Sequence, residues 1–545
     1  MTYNDVSADV QDKYVLGVIC LAVLALSVPL FRLVYAPLFS SPLSRIPGPT
    51  AFAVTRWRLA YEDWKGTRTR YIHKLHLQYG NAVRIGPNEV SFNDLAALRT
   101  IYGAGSGFER DTFYRMFDVY GRQNLFTFAS SKAHGDRKKL LNHAYSKTTI
   151  MKGAMANMVE EKTRQFIRLL EDEPETASEI FASLHYFAID SITSFLYGDD
   201  HGGTSALKGS LSDRALLSDV MDPSRRKLSW YAVHFPKYTK WLYTRNGALE
   251  QIITRIGMLP MQKPSTYTGI RAHALKSWQM FIAAPLVEKT ESVKTTIVGR
   301  LWQHQQSGKG TRLDDLDIAS ECADHLLAGI DTTSDTSMFL IWALSLPENI
   351  KFQQKLIDEI SQLENSVRVE GGIPNVTAAD KLPFLDAVIK ETLRLYNPLP
   401  ASEPRSLPVD CTIAGFLVPA RTVVSMAPFS LHRNPNVFPD PLKFDPERWT
   451  RESSHLTEMK RWWWAFSSGG RMCIVAFGNK YEGANLDSLA MAEMITLVAA
   501  VYKNYSTRIQ DRQEGISPGI TSRFEVFSDE NFAKVGVGYA GILDT

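Results

Sequence analysis

Residues 14–31 read YVLGVICLAVLALSVPLF, an apolar run of eighteen residues without a charge. At about 1.5 Å of rise per residue such a helix is roughly 27 Å long, enough to cross the hydrocarbon core of a bilayer. A cleaved secretory signal would carry a shorter apolar region ending at a small-residue site. Here the run meets Pro29 and Arg32 and then bulky Leu33, Val34 and Tyr35, so an uncleaved anchor is expected. Asp5, Asp9 and Asp12 precede it against Lys13, and Arg32 and Arg45 follow. That asymmetry puts the short N-terminus outside and the main body in the cytosol. The proline-rich residues 41–49 (SPLSRIPGP) predict a stiff extended spacer.

Beyond the spacer, periodicity predicts a helix ending near Gly80, short strands around residues 82–85 and 89–92, and a basic helix over residues 134–146 (HGDRKKLLNHAYS). Gly103 to Gly107 (GAGSG) predicts a flexible loop, since no strand leads into it and the G-x-G-x-x-G spacing is missing. Long helical patterns run to Leu346. Alternating segments near residues 411–418 and 422–426 predict hairpin strands, and residues 431–449 (LHRNPNVFPDPLKFDPERW) a proline-punctuated coil. The fold class is therefore mainly α with small β-sheets. No linker composition appears after the first fifty residues, which predicts an anchor (helix about 14–31) and hinge over residues 1–45 and one large domain over residues 46–545.

Charge and cysteine usage narrow the function. A net charge of +3 on 545 residues shows no concentrated basic face for nucleic acid. The four cysteines, Cys20, Cys322, Cys411 and Cys473, lie far apart with no C-x-x-C pair, which removes zinc, iron–sulfur and disulfide frameworks. Between residues 225 and 245, Lys227, Lys237 and Lys240 interleave with Trp230, Tyr231, Phe235, Tyr238, Trp241 and Tyr243. This pattern suits a membrane interface, or an ordinary helix pair with its rings in the core.

Four stretches carry candidate chemistry. Residues 466–473 read FSSGGRMC, from Phe466 through Gly469 and Arg471 to Cys473. A cysteine on a glycine turn can bring a thiolate up to a flat ligand such as haem while the arginine meets its acidic edge, or it can be a buried structural cysteine. Within the longest helix candidate, residues 313–346, the stretch Ala328-Gly329-Ile330-Asp331-Thr332-Thr333 places glycine, an acid and two β-branched hydroxyl residues mid-helix. Each costs up to about 1 kcal/mol against alanine, which predicts an interrupted helix with a functional groove, or a kinked core helix. At the interruption Thr332 could divert a backbone hydrogen bond and hold water beside Asp331. Residues 390–395 (KETLRL) put Glu391 and Arg394 on one helix face, and Arg448 in the later PERW could reach them to form a three-way charge lock. Arg137 and Lys138 on the basic helix could pair with an acidic ligand edge, or face solvent.

Taken together, A-G-I-D-T-T, E-T-L-R, P-E-R-W and F-S-S-G-G-R-M-C, in this order, make the chain resemble a cytochrome P450 from Pro47 to about Tyr505, and the anchor with its proline hinge resembles the microsomal, eukaryotic branch. The coil is closest in style to filamentous-fungal members acting on secondary metabolites. The resemblance implies a cytochrome P450 fold behind a single transmembrane helix, haem b (heme b) with Cys473 as axial thiolate to iron, and Asp331 with Thr332 as the oxygen-activation pair. It further implies Glu391, Arg394 and Arg448 as a structural triad, Arg405 and Arg471 at the haem propionates, Phe466 and Gly469 in the haem loop, and Lys138 in a propionate role. The activity implied is insertion of one oxygen atom from O2 into a lipophilic small molecule. With no G-x-G-x-x-G after a strand and no flavin fingerprint in the chain, electrons would come from NADPH through a separate NADPH-cytochrome P450 reductase, with or without cytochrome b5. The expected location is the endoplasmic reticulum membrane, single-pass, with the catalytic domain cytosolic.

Two departures stand out. His134 occupies a place where the family often has tryptophan, with Lys138 at the paired arginine position. The family also expects glycine two places after the cysteine, where this chain has Val475. Removing residues 475–482 (VAFGNKYE) joins Ile474 to Gly483 and restores both that glycine and a helix directly behind the thiolate. A helix N-terminus there would offer N–H groups and partial positive charge to the sulfur. The segment is then either an outward bulge turning at Gly478-Asn479 or a splicing remnant, and in the second case the chain as written would be a membrane-anchored haem protein or scaffold impaired in turnover. A variant lacking residues 475–482 is predicted to bind haem at least as well as the full chain and to turn over faster. Loss of the thiolate spectrum in that variant, with the full chain retaining it, would make the segment an integral part of the site.

Overall fold

The computed structural model describes residues 3–172, 178–221, 224–243, 248–256, 268–308, 310, 312–364, 372–474, 489–509 and 536–541. Its axis is the helix Asp315–Ser345, which packs against the helices Ile180–Tyr197, Thr268–Ala283, Pro383–Leu395 and Leu489–Asn504. Asp314 caps it, accepting from Asp317 N at 2.8 Å, while the Asp317 carboxylate accepts from Asp314 N at 2.9 Å. This reciprocal pair satisfies two otherwise orphaned donors. The interruption expected at residues 328–333 does not occur, because the helix is continuous through them. Thr332 Oγ1 donates back to Ala328 O at 2.8 Å and Thr336 Oγ1 to Thr332 O at 2.7 Å, so the hydroxyls are satisfied locally without breaking the helix. Gly329 serves close approach: a Cβ there would lie 2.6 Å from Ile192 Cγ1 on the helix Ile180–Tyr197.

A five-stranded sheet orders Ala82–Gly86, Glu89–Phe92, Val423–Ser425, Arg405–Ser406 and Glu109–Arg110 side by side. The expected strand near residues 422–426 thus joins Glu89–Phe92 in parallel rather than the hairpin formed by Cys411–Ile413 and Phe416–Val418. At the far edge, antiparallel register sets Arg110 opposite Arg405. A third sheet aligns Ser178–Glu179, Gly536–Gly541 and Tyr505–Ile509.

The N-terminal helix is longer than the expected 14–31: Tyr3–Leu30 runs straight into a wide-turned π-helical segment, Phe31–Ser40, with Pro29 and Pro37 inside. Its apolar part, Leu16–Ser40, has no buried residues and is long and apolar enough to cross a membrane. Arg84 Nη1 donates to Pro37 O at 2.6 Å and ties the end of this helix to the sheet. The expected extended spacer is instead partly helical and packed, since Pro42–Arg45 forms a 3-10 turn capped by Ser41, and Leu43 and Ile46 are buried. The apolar side chains gain more by docking on the domain than the prolines gain by extension. In the aromatic-basic segment, Trp230 turns inward, donating Nε1–H to Ala60 O at 2.8 Å and meeting Trp64 edge-on, while Phe235 and Trp241 stay partly exposed.

The charge lock forms as expected. Both oxygens of buried Glu391 accept from Arg394, at 2.8 Å each, and they also accept from Arg448 Nε at 3.0 Å, Asp445 N at 2.9 Å and Trp449 Nε1 at 3.0 Å. Burial alone would raise its pKa, yet the two guanidiniums and these donors hold it below the ordinary carboxylate value. The arginines spend their remaining donors on carbonyls of the coil, Arg394 on His432, Pro441 and Lys443 and Arg448 on Pro439. Glu391→Gln is predicted to lower unfolding free energy by about 3–5 kcal/mol, as for a buried ion pair stripped of one partner, read by urea denaturation; a change under about 1 kcal/mol would show that the lock is dispensable.

Candidate functional site

Cys473 sits at the end of a tightly held loop. Its N–H donates to Phe466 O at 3.0 Å, and Gly469–Arg471 makes a single 3-10 turn. Gly469 has φ +65°, and a Cβ there would strike the carbonyl of Tyr102 and the backbone of Gly103 and Ala104. The GAGSG loop, expected to be merely flexible, is therefore the wall against which the cysteine loop is pressed. From the other side Lys138 Nζ donates to Gly470 O at 3.2 Å and Met472 O at 2.7 Å. The loop's inner face, with Phe466, Arg471 and Cys473, opens on a cavity of about 230 Å³. Ala328, Gly329 and Thr332 of the long helix form another wall, and Glu493 of the helix Leu489–Asn504 reaches the same space.

The cavity is lined by basic residues and also by the carboxyls Asp324, Glu403 and Glu493. Arg110, His134, Lys138 and Arg471 line it, and Arg405 lies one layer behind, donating to Tyr114 Oη at 2.8 Å and Glu403 Oε2 at 3.1 Å. Burial and the neighbouring Arg110 and Arg405 charges push Arg471 down to about 9. Burial, with Arg405 adding to it, pushes Arg110 down to about 10. Burial, with Arg110 and Arg471 opposing the Cys473 sulfur, lowers Lys138 to about 8. Burial and Arg471 bring His134 to about 2, so it is neutral. Cationic groups that depress one another in a desolvated space mark a site for an acidic ligand. Arg471 gives Nη1 to Phe128 O at 2.7 Å and Nη2 to Ala129 O at 2.5 Å, and Arg110 lies against the rings of Tyr114 and Phe126. The Nε–H of each is buried without a partner among the described residues. A thiol, a close-packed glycine turn and unspent guanidinium donors fit a flat macrocycle with acidic side groups. They fit haem.

The sequence-predicted residues fall into three groups. Phe466, Arg471, Cys473, Lys138 and Thr332 line one cavity, with Gly469 and Arg405 directly behind it; Lys138, expected at a propionate, grips the cysteine loop. Asp331 adjoins Thr332 on the long helix but is not among the lining residues. Glu391, Arg394 and Arg448 form the separate lock described above. Of the two readings open for Arg137, a ligand edge or a solvated face, neither holds: its guanidinium is buried in an ion pair with Glu321 on the long helix. Sequence reasoning missed Arg110, which only strand register brings opposite Arg405, and Asp324 and Glu493, both lining the cavity. Glu493 had a signal, a lone acid in the apolar run of residues 489–501; burial pushes its carboxyl up to about 8. Residues 475–482, read as an insertion, lie outside the described residues.

A family model described as Cytochrome P450 matches residues 46–521. The chain is similar to the cytochrome P450 monooxygenase orf2 of Aspergillus niger, 27% identical over 503 residues, covering 91% of this chain and 92% of that protein. It is also 29% identical over 438 residues to the cytochrome P450 monooxygenase aflV of Aspergillus parasiticus, covering 80% and 81%. With stcB of Emericella nidulans, another cytochrome P450 monooxygenase, it shares 29% identity over 444 residues, covering 80% and 79%.

Proposed function

The chain belongs to the cytochrome P450 family, and from that premise we propose that it is a haem-thiolate monooxygenase acting on a lipophilic small molecule of fungal secondary metabolism. The observation that carries this reading is the unspent donor capacity of Arg110 and Arg471 in the cavity that Cys473 closes. When bound, haem supplies activation of molecular oxygen and insertion of one of its atoms into substrate. The protein's residues hold and shield. Cys473 Sγ would be the residue that binds the haem iron, and the bonds from Lys138 to Gly470 O and Met472 O fix the loop that presents it. Arg471 and Arg110 would take the carboxylates of the cofactor, with Arg405 supporting them from behind. Leu125, Phe126, Leu399 and Ala401 line the cavity with apolar surface that excludes water. Thr332 Oγ1, on the cavity wall and free to accept while it donates to Ala328 O, would relay a proton into the cavity, with Asp331 as its neighbour on the helix.

Electrons come from NADPH through a separate reductase, since the chain has no nucleotide-binding fingerprint. The apolar helix is proposed to anchor the protein in the endoplasmic reticulum membrane with the domain in the cytosol, and removal of residues 1–40 should then shift it from the pelleted to the soluble fraction. The reduced protein with carbon monoxide is predicted to give the red-shifted Soret band of thiolate ligation, and Cys473→Ala to abolish it. Thr332→Ala should keep that band but release more peroxide and less product per NADPH consumed. An imidazole-type spectrum sinks the assignment, whereas a thiolate spectrum without turnover favours the scaffold reading.

A further inference from the structure

Two carboxyls of the cavity, Asp324 and Glu493, are not used by any step above. Asp324 lies on the long helix, two turns before Thr332, on the stripe Asp324-Ala328-Thr332 that faces the cavity. Its ligand-capable oxygen lies within 4.8 Å of the corresponding atoms of Glu321 and His325. By distance the three could enclose a metal ion, but two of them are committed elsewhere. Glu321 Oε2 is paired with Arg137, and Oε1 accepts from Leu125 N at 3.1 Å and His325 Nε2 at 3.1 Å. His325 Nδ1 in turn meets the Tyr145 hydroxyl at 2.5 Å. Asp324 accepts one bond, from Phe126 N. Among the described residues it has no ion-pair partner within 4.0 Å, and its remaining surface belongs to the cavity. Arg110, whose charge also acts on Asp324, is held between Tyr114 and Phe126 with Nη1 toward Leu125 O.

The corner therefore holds the pair Glu321 with Arg137 and one carboxylate, Asp324, without a direct ion pair among the described residues, on a wall shared with Phe126, Leu125 and Ala328. A carboxylate shielded from water beside a second carboxylate is costly unless a cation joins it. Burial, with Glu321 adding to it and His325 and Arg110 opposing, pushes the Asp324 carboxyl up to about 7. Resting on the monooxygenase reading above, we propose that Asp324 is the substrate-anchoring residue and that the substrate is an apolar molecule carrying one basic nitrogen, protonated and paired with the Asp324 carboxylate. Eight residues of helix separate Asp324 from Thr332, which sets the nitrogen on the order of 10 Å from the oxidised carbon.

The test uses the full-length haem-loaded protein titrated at neutral pH with N,N-dimethyloctylamine and with 1-octanol, of matched alkyl length. The amine is expected to bind at least tenfold more tightly and to give the high-spin shift of substrate binding, because the anchored nitrogen is held away from the iron. Asp324→Asn should erase that tenfold preference and leave octanol affinity within about twofold, and Asp324→Leu should do the same. Equal affinities for the two probes in the parent, a preference that survives in Asp324→Asn, or a low-spin shift from direct nitrogen ligation would overturn the assignment. The carbon monoxide difference spectrum separates the two readings: a missing thiolate band is a failure of the monooxygenase assignment, while an intact band without amine preference is a failure of the anchor alone.

Discussion

Positive charge confined where water is scarce has to be answered by negative charge. The sheet register that sets Arg110 opposite Arg405, with Arg471 approaching from the cysteine loop, concentrates three guanidiniums on one side of the cavity, where Glu403 accepts from one of them. Like charges facing each other across strands are destabilising by themselves. The arrangement makes sense with a dianionic cofactor between them, and the position of Cys473 on the same cavity selects which one.

That cavity is only as well defined as the loop that closes it. Glu391, receiving five donors, fixes the coil between residues 432 and 449 to the helix Pro383–Leu395. His432, whose carbonyl accepts from Arg394, uses Nε2 to accept from Trp464 N at 2.8 Å, two residues before the cysteine loop begins. The lock is thus mechanically continuous with the ligand loop, although none of its three charges lines the cavity. A single carboxylate explains why a stretch of prolines without regular structure can hold a loop in place.

The parts of this fold that were legible in the sequence are those with local grammar. The long helix, the strands flanking Gly86, the hairpin at Cys411 and the pairing of Glu391 with Arg394 all follow from periodicity or from spacing on one helix face. What sequence could not give depends on register between distant strands or on which of two partners a charge meets. Arg110 is a site residue only because its strand lies against Arg405. Arg137 meets neither a ligand edge nor solvent because Glu321, unremarkable in the sequence, pairs with it from the long helix. The stretch at Ala328–Thr333 was misread as a break because weak helix formers were weighed singly, whereas packing of Gly329 against Ile192 and hydroxyl back-bonding keep the helix whole. The apolar N-terminal helix was foreseen, but its continuation to Ser40 owes to Arg84 on a strand far along the chain.

The most direct test of the central claim is reconstitution of the haem-free protein with haem and with its dimethyl ester, in which both acidic groups are neutral. If the guanidiniums of this cavity are what the cofactor answers, the ester should bind more weakly by about a hundredfold or more, the loss expected for two charge-assisted hydrogen bonds at about 1.5–3 kcal/mol each. Equal affinity for the two would contradict the account, because it would mean that Arg110 and Arg471 contribute nothing to holding the cofactor.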